Sequence, residues 1–587
     1  MNRDKILTAA AVERMIAAGQ TIVVFEDSVL KLDGWMDRHP GGRLAVLHMV
    51  GRDATDEMKA ETHYNYNTQL VSTRQYDMYS AFVSNMFILL WDSYHSEATL
   101  RTMKAYRIGR KQGSWVNRTP PIRGGVFRLD AQDIDMSDSS TSSDTDDNDT
   151  TSLDDAVSSA SSSPSVVDDV KDEGQGLRQR TVKTADDLRK RTATLRVANA
   201  GVAREIQNDL ETYPSLDTRV QDEIARKYQL LHQRIHDEGL YQCPYVEYGK
   251  EMMRYTTLFT LFGVLFYNQW YITSAVFLGL FWHQIMFSAH DAGHLAITSN
   301  FVVDTLIGMF IADFCCGLSI GWWKSSHNVH HLVTNQPEHD PDIQNVPLFA
   351  TCPSFFKSLR STYYNFTFVW DAAADFLVPF QRWTYYPVMG IARFNLYLLS
   401  WLHVLSEKSS QLGKSRAWWI RPTEITFMAC YWFLFGYCLL WRGLPDWTTR
   451  VIFVLVSHII TMPLHVQITL SHWGMSTVDL GETESFAQRQ LRTTMDVDCP
   501  AWMDFVHGGL QFQAVHHLFP RVPRHNLRKV QFMIREFCND TGVPYSILNF
   551  TDGNRKVLGR LKDVSDQLDI MIKCQQHMAR TGESGLH

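Results

Sequence analysis

Several features that would place a chain of this size in a common class are missing from the sequence. The nine cysteines form no CxxC pair and follow no regular spacing, which argues against a disulfide framework and indicates a reducing, cytosolic exposure. The formal net charge is -7, so nothing points to nucleic acid as a partner. The first ten residues, MNRDKILTAA, lack the apolar run of a cleaved signal peptide.

Charged side chains are absent from three long stretches of the chain. Tyr255 to Ala289, Ile425 to Trp441 and Val451 to Ser471 contain no Asp, Glu, Lys or Arg. Because about 20 mostly apolar residues cross a bilayer, these runs predict transmembrane helices, the first as a hairpin that turns at residues 267–270. A buried soluble core is the alternative, but several such runs together favour a membrane protein.

The distribution of basic residues predicts the orientation of these spans. Residues 324–421 are rich in Lys and Arg, whereas the turns at 267–270 and 442–450 are short and hold only Arg442 and Arg450. By the tendency of basic loops to stay on the inner side, we expect the long segment to be cytosolic.

Residues 131–170 consist mainly of Ser, Thr and Asp. Such a composition cannot bury enough apolar surface to offset the entropy lost on ordering, so it predicts a disordered acidic linker over about 131–195. The linker separates a polar N-terminal module from a membrane module. Residues 182–236 have mixed helical periodicity and are expected to form a cytosolic connector.

The N-terminal module contains the sequence HPGG, which begins at His39, and a second histidine, His63, 24 residues later. Two neutral imidazoles on opposite faces of a haem would fill both axial positions and leave an iron that carries electrons. Proline and glycines permit a tight turn close to a porphyrin. The alternative is an ordinary turn and a surface histidine.

With GRDAT at residues 51–55, this stretch resembles cytochrome b5 over about residues 18–95. The resemblance implies a small α+β haem domain, taken here as residues 1–105, with His39 and His63 as the axial ligands of haem b. Met58 stands where that family usually has an aromatic residue, and a methionine can fill the same space.

Histidines cluster in the second half of the chain in helical registers. Pairs or triples three to four residues apart share one face of a helix. A further pair, His465 and His472, is seven residues apart, which again favours one face. The candidates in the three main clusters are His290 and His294, then His327, His330 and His331, and finally Gln513, His516 and His517.

This set indicates a redox centre with two metals. A lone histidine is most often structural, but seven clustered imidazoles exceed the needs of one first-row metal, and imidazole suits iron, zinc and copper. The HExxH pattern of zinc proteases is absent. A dimetal site beside a haem and a membrane predicts dioxygen chemistry on a lipid chain, and the residue types leave desaturation and hydroxylation both open.

The combination of HDxxH, HxxHH and QxxHH with the N-terminal module resembles the cytochrome b5-fused front-end desaturases. Residues 317–344, 390–401 and 463–473 are most similar to sphingolipid 8-desaturases. The resemblance implies an all-α integral membrane domain over 245–545 with about four transmembrane helices, and a cytosolic tail over 546–587. It also implies two iron ions and a location in the endoplasmic reticulum. The iron ligands carried over are His290, His294, His327, His330, His331, His516 and His517, with His472 and then His465 as weaker candidates.

The resemblance further implies the substrate and partners. A ceramide would gain a double bond in its long-chain base, with O2 as co-substrate and electrons from NADH-cytochrome b5 reductase. The alternatives are an acyl-lipid front-end desaturase of the delta6 or delta5 type, a lipid hydroxylase, and a non-enzymatic haem carrier.

Three smaller groups of residues carry open interpretations. Gln513 is either a weak oxygen ligand to iron or a packing residue. His339, Asp340 and Asp342 either orient ligand imidazoles or form a solvated loop. Trp322 and Trp323 are expected to anchor the protein at the membrane interface.

Overall fold

The computed structural model describes residues 3–36, 39, 42–60, 105–128, 198–406 and 418–581. The second expected haem ligand, His63, and the acidic linker at 131–195 lie outside the described residues, so both remain sequence predictions.

The N-terminal module is a small α+β unit. Strands β1 (Ile6–Leu7), β2 (Ile22–Phe25), β3 (Ser28–Lys31) and β4 (Arg107–Lys111) form one sheet in the order β1-β4-β3-β2, with β1 and β4 parallel and the other pairs antiparallel. Three short helices accompany the sheet: Ala9–Ala17, Arg43–Leu47 and Thr55–Ala60. Because β4 pairs with both β1 and β3, the module extends beyond the expected boundary at residue 105.

A helical connector precedes the membrane module. Residues 198–212 are helical, and a second helix spans Thr218–Asp237 after an N-cap by Asp217. Tyr228 in the second helix is buried and donates from its hydroxyl to the Leu518 carbonyl at 2.7 Å. The connector is therefore part of the membrane module's core rather than a free spacer.

Within the part of the chain that the structure describes, four helices are long and apolar enough to cross a membrane. They are Tyr271–Gly293, Ala372–Leu405, Ile420–Gly443 and Trp447–Leu470. A bent pair, Phe301–Cys315 with Ile320–Leu332, turns by 116° and would be a fifth if it counts as one span. The expected number of about four is confirmed, and the predicted hairpin turn near 267–270 lies between helices Tyr245–Tyr267 and Tyr271–Gly293.

The identity of one span differs from the sequence interpretation. Helix Tyr245–Tyr267 carries four charged residues in its first three turns and does not meet the apolarity required of a span. Helix Ala372–Leu405 is apolar enough to be a span, although the sequence interpretation assigned its segment to the cytosol. The charged residue in its apolar part, Arg393, is buried and donates to the Cys316 carbonyl at 2.9 Å and to the Tyr397 hydroxyl at 2.8 Å.

The remaining elements pack beside the ends of these helices. They comprise helices Phe486–Thr493, Asp504–His507, Gln513–Leu518, Leu527–Thr541 and Phe550–Thr581, with the parallel pair of strands Asp496–Asp498 and Ile547–Asn549. The segment predicted as a cytosolic tail, 546–587, is regular structure over most of its described part. That part supplies a strand and a long helix whose apolar face, from Val557 to Met571, is buried in the core.

Buried ion pairs join the N-terminal module to the membrane module. Glu57 pairs with Arg489 at 3.2 Å, and both side chains are buried. Arg52 pairs with Glu482, and Asp56 accepts from Gln229 of the connector at 2.8 Å. Because an uncompensated buried charge is costly, these pairs hold the two modules in one arrangement.

Candidate active site

Four segments bring the predicted histidines to one place. Helix Tyr271–Gly293 ends beside His290 and His294, and helix Ile320–Leu332 carries the second cluster. The sharp bend before the second helix is set by Ser319, whose hydroxyl caps it by accepting from the Trp322 amide at 2.9 Å. The short helix Gln513–Leu518 and the turn after Leu470 supply the rest.

The imidazoles form two groups, each of a size that suits one metal ion. In each group the candidate ligand atoms lie within 4.8 Å of one another. The first group contains His290, His294, His327 and His516, and the second contains His330, His472 and His517.

His331 lies between the two groups. Its Nε2 is 3.0 Å from His327 Nε2, and its ring stacks on His517 with centroids 4.2 Å apart. Two imidazole nitrogens at such a distance either share one proton or face a common cation. His331 therefore connects the two groups, and the sequence-predicted set of seven histidines plus His472 converges on one centre.

The donor atoms fit metal ions rather than a hydrogen-bonded protein core. Buried polar atoms are normally satisfied, so a cluster of exceptions needs a ligand. Among the described residues, seven buried atoms of this centre have no hydrogen-bond partner: His290 Nε2, His294 Nε2, His331 Nδ1, His472 Nδ1, His516 Nε2, His517 Nε2 and Gln513 Oε1. Imidazole nitrogens of this kind bind iron well.

Protonation also favours metal binding. Burial, followed by the neighbouring imidazoles, holds the pKa of His516 and of His517 well below the usual value. Neutral imidazoles keep the lone pair that a metal requires. His516 and His517 are therefore ready to bind cations at neutral pH.

Two side chains behind the ligands fix ring orientation. Asp340 accepts from His330 Nδ1 at 2.8 Å, which leaves His330 Nε2 for a metal. Gln490 Oε1 lies 3.1 Å from His517 Nδ1, while its amide donates to the His331 carbonyl at 2.7 Å. Such outer partners set the tautomer of ligand histidines. Asp340 fits the first of the two interpretations that the sequence left open, whereas Gln490 has no motif that could have identified it.

Asp342 and His339, the other two residues of this loop that the sequence singled out, make different contacts. Asp342 lies 3.8 Å from His330 Nδ1 and accepts from Ser326 at 3.2 Å, so it is a secondary contact. His339 turns away and packs edge-on against His48 of the N-terminal module, with centroids 5.4 Å apart. His339 thus belongs to the contact between modules.

Gln513 begins the helix that carries His516 and His517, and it is buried. The start of this helix is held by Asp496, which accepts from the Ala514 amide at 2.8 Å and from Gln531 at 2.7 Å. The position of Gln513 is compatible with an oxygen ligand, because its Oε1 is buried without a partner.

His465 does not join the centre, contrary to the sequence interpretation. The helix that contains it ends at Leu470, so the seven-residue spacing to His472 does not place both rings on one face. Its ring nitrogen Nε2 instead lies 3.5 Å from the Thr461 hydroxyl, and His465 belongs to neither group of potential ligands. His465 and His472 therefore differ because the helix ends between them, at Leu470, and no residue type in the sequence marks that end clearly.

Trp323, which the sequence predicts as an interfacial anchor, packs against candidate metal ligands. Its ring stacks on His327 with centroids 4.3 Å apart and also contacts His290 and His294. A Cβ on Gly293 would lie 2.1 Å from this ring, so the glycine of HDAGH makes room for it. Trp323 shields one side of the first group from water.

A further network, which sequence reasoning missed, holds the first cluster. Asp291 pairs with buried Arg524 and accepts from the Tyr248 hydroxyl. Arg524 also pairs with Glu251 and donates to the Phe287 carbonyl at 2.9 Å. The sequence contained one sign of this network, Asp291 in the HDxxH motif. A carboxylate next to two candidate ligands needs a partner, and here that partner is Arg524.

A cavity beside the centre contains the first expected haem ligand. Its lining is mostly apolar and includes His39 and Met58. His39 donates from Nδ1 to the Gly42 carbonyl at 2.9 Å, which leaves the lone pair on Nε2. Burial lowers the pKa of His39. A neutral imidazole in an apolar cavity fits a haem iron.

Two family profiles match separate parts of the chain. The profile described as "Fatty acid desaturase" matches residues 268–549. The profile described as "Cytochrome b5-like Heme/Steroid binding domain" matches residues 8–112, which includes strand β4. The matches agree with the two modules seen in the structure.

Three characterised relatives show how far the similarity extends. A delta 8-(E)-sphingolipid desaturase of Emericella nidulans is 45% identical, over 100% of this chain and 99% of the relative. One of Kluyveromyces lactis is 42% identical, over 98% and 96%. An acyl-lipid (9-3)-desaturase of Borago officinalis is 34% identical, over 59% and 76%. The chain therefore belongs to the membrane fatty acid desaturase family, as a member fused to a cytochrome b5-like domain and similar over its whole length to delta 8-(E)-sphingolipid desaturases.

Proposed function

We propose that this protein is a membrane-bound oxidoreductase that introduces a double bond into the long-chain base of a ceramide, at the delta 8 position that its full-length relatives' names give. The observation that carries the proposal is the centre itself. Two groups of mostly buried imidazoles, several with a nitrogen that has no hydrogen-bond partner, lie beside a cavity that His39 lines. A haem carrier would have no use for this second set of donors.

The chain's residues would hold both cofactors. His290, His294, His327 and His516 would bind one iron ion, and His330, His472 and His517 the other, with His331 between them. A pair of iron ions there would supply dioxygen activation, and haem b held by His39 and His63 would supply single electrons. Gln513 is a candidate for a weaker oxygen ligand.

The surroundings of the centre serve its chemistry in three ways. Asp340 and Gln490 keep ligand imidazoles in one tautomer. Trp323 and the burial of the histidines exclude bulk water, which protects reactive species from side reactions. Asp291 and Arg524 hold the end of the first ligand helix.

The electron supply and location complete the proposal. NADH-cytochrome b5 reductase would reduce the haem, and two electrons from the haem, two protons and the two hydrogens removed from the substrate would reduce one O2 to two molecules of water. We place the metal centre and the N-terminal module on the cytosolic side of the endoplasmic reticulum membrane. The basic residues that precede helix Ala372–Leu405 on the side of the second histidine cluster, Lys324, Lys357 and Arg360, support this orientation.

Lipid analysis of an expressing host tests the proposal. In a host without such desaturation, mass spectrometry should detect a new double bond in the sphingoid base when the full chain is expressed. His516→Ala and His39→Ala, at matched protein levels, should abolish it, because each removes a ligand of one cofactor. A new double bond found only in fatty acyl chains would instead establish the acyl-lipid alternative.

A further inference from the structure

The bend of 116° between helices Phe301–Cys315 and Ile320–Leu332 lies among the membrane spans. Gly317 in the bend has a φ of +70°, which favours glycine. Trp282, halfway along the first span, donates from its indole nitrogen to the Cys315 carbonyl at 2.9 Å. The bend is therefore level with the middle of that span, and the interior of a bilayer offers no water to satisfy free backbone groups.

A cationic side chain from the second span, Ala372–Leu405, meets the carbonyl side of the bend. Arg393 donates to the Cys316 carbonyl at 2.9 Å and to the Tyr397 hydroxyl at 2.8 Å. Its guanidinium also lies over the Trp282 ring, 4.4 Å from the centroid. The last carbonyls of a helix lack partners and carry a partial negative charge, so a buried cationic donor is favourable there.

A carboxylate from the third span, Ile420–Gly443, meets the amide side of the bend. One oxygen of Glu424 accepts from the Ser319 hydroxyl at 2.7 Å and from the Gly321 amide at 2.8 Å. Glu424 is 1% exposed. A Cβ on Gly321 would lie 2.8 Å from both carboxylate oxygens, so the glycine allows this close approach.

The two neighbouring amides also have acceptors from side chains. Ser400 of the second span accepts from the Ser319 amide at 3.0 Å, and Asp313 accepts from the Ile320 amide at 2.8 Å. The first amides of a helix have no partner within it. Here three consecutive amides, at residues 319–321, are each satisfied by a buried side chain, which fixes where the second helix begins.

The start of this helix sets the register of the second histidine cluster. His327, His330 and His331 lie roughly two to three turns beyond the bend, and a shift of one residue would rotate them by about 100°. We propose that Glu424 and Arg393 are positioning residues of the metal centre, which fix the bend and thereby hold these three histidines in register. This role rests on the proposed function, since the register matters only if the histidines bind metal.

Labelling of Cys316 measures the state of the bend without metal, O2 or lipid. Cys316 is fully buried, so a maleimide should label it slowly in the purified full chain, as followed by peptide mass spectrometry. Glu424→Leu should speed labelling about ten-fold, because two buried donors lose their acceptor. Glu424→Gln keeps a carbonyl oxygen for both donors and should remain protected.

Bound Co²⁺ reports the geometry of the ligands. The full chain would be loaded with Co²⁺ in place of iron, and its visible absorption bands depend on the arrangement of the ligand atoms. Glu424→Leu and Arg393→Met should shift these bands and bind less Co²⁺. Glu424→Gln should keep the parent spectrum, which a general loss of stability would not explain.

Two further variants complete the experiment. Asp446→Leu is the matched control, because Asp446 is an exposed carboxylate that accepts from the Thr449 amide at 2.9 Å at the start of another span. It should match the parent in both measurements. Gly321→Ala keeps Glu424 but crowds its carboxylate, so it should change labelling and spectrum in the same direction even if Glu424→Leu cannot be purified.

Parent-like labelling and parent-like Co²⁺ bands in both Glu424→Leu and Arg393→Met would overturn the inference. Equal effects in Glu424→Leu and Glu424→Gln would also overturn it, because the acceptor oxygen would then be irrelevant. Equal effects in Asp446→Leu would do the same, by showing that any weakened span disturbs the centre. Because neither measurement uses lipid, a missing sphingoid-base product together with the expected labelling would count against the proposed function alone.

Discussion

His330 and Asp340 form a hydrogen bond of 2.8 Å between Nδ1 and a carboxylate oxygen, and both side chains are almost fully buried. The same oxygen accepts from the Asn335 amide at 2.7 Å, which fixes the carboxylate in place. The pair therefore sets the direction of His330 Nε2 toward the second group of imidazoles. The spacing of ten residues crosses the end of a helix, so no periodic pattern connects them.

Replacing Asp340 with asparagine should weaken the second metal site. The amide can still accept from His330, but it loses the negative charge that makes the imidazole a stronger ligand, and such changes reduce metal affinity by about 10- to 100-fold. Iron per protein, measured by mass spectrometry after dialysis, should fall from two non-haem ions toward one. Asp342→Asn is the control, since that carboxylate is 3.8 Å away, and its iron content should stay near the parent value.

Gly293→Ala should disturb the first group through Trp323. The added methyl group would lie 2.1 Å from the indole ring, and overpacking of this kind costs about 1–3 kcal/mol. We expect a lower melting temperature and a loss of product. Gly263→Ala is the control, because Gly263 on helix Tyr245–Tyr267 has open space around its Cβ position. It should keep the parent melting temperature and the parent product level. Partial recovery of activity by Gly293→Ala with Trp323→Leu would identify the tryptophan contact as the cause.

His465 and His472 provide a matched comparison for the limits of the metal site. His472→Ala should lose non-haem iron, because its ring packs against His330 and His517 with centroids 4.6 and 4.8 Å away. His465→Ala should keep the iron at the parent level, because His465 lies outside both groups. Iron loss in His465→Ala as great as in His472→Ala would show that the second group is larger than the structure indicates.

Gln513 should influence the centre without being essential for folding. If its buried Oε1 faces iron, Gln513→Ala should lose most activity while the haem spectrum stays unchanged. Gln513→Glu should also lose activity, since a fixed negative charge near the metals would lower their reduction potential. Product formed and iron bound should be measured in the same preparation. Parent values of both in Gln513→Ala would establish a packing role instead.

The buried pair of Glu57 and Arg489 should hold the modules together. Glu57→Gln leaves Arg489 buried without its carboxylate, and removal of one partner of a buried pair typically costs about 3–5 kcal/mol. We expect slower electron transfer from the reduced haem to the metal centre in stopped-flow absorbance. Glu13→Gln, whose carboxylate pairs with Arg118 at a half-exposed site, should leave the rate unchanged. An equal rate in Glu57→Gln and the parent would argue against fixed docking.

The identity of the donor atoms was determined locally, by the sequence. HDAGH and HNVHH place histidines three to four residues apart, and such spacing on one helix brings rings to one face whatever the rest of the fold does. Charge-free runs such as Val451–Ser471 likewise predict spans from composition alone. For these reasons seven of the candidate histidines converge in the structure as the motifs indicated.

Tertiary structure alone decided the features that depend on where elements end and what lies opposite them. His465 lies outside the metal groups because its helix ends at Leu470, and Trp323 covers the centre because Gly293 leaves space for it. Helix Ala372–Leu405 qualifies as a span although it contains Arg393, because the protein buries that side chain. The helix after residue 549 packs into the core. Gln490, Arg524 and the cavity lined by both modules bring together residues far apart in the chain, and such contacts arise from packing rather than from any local pattern.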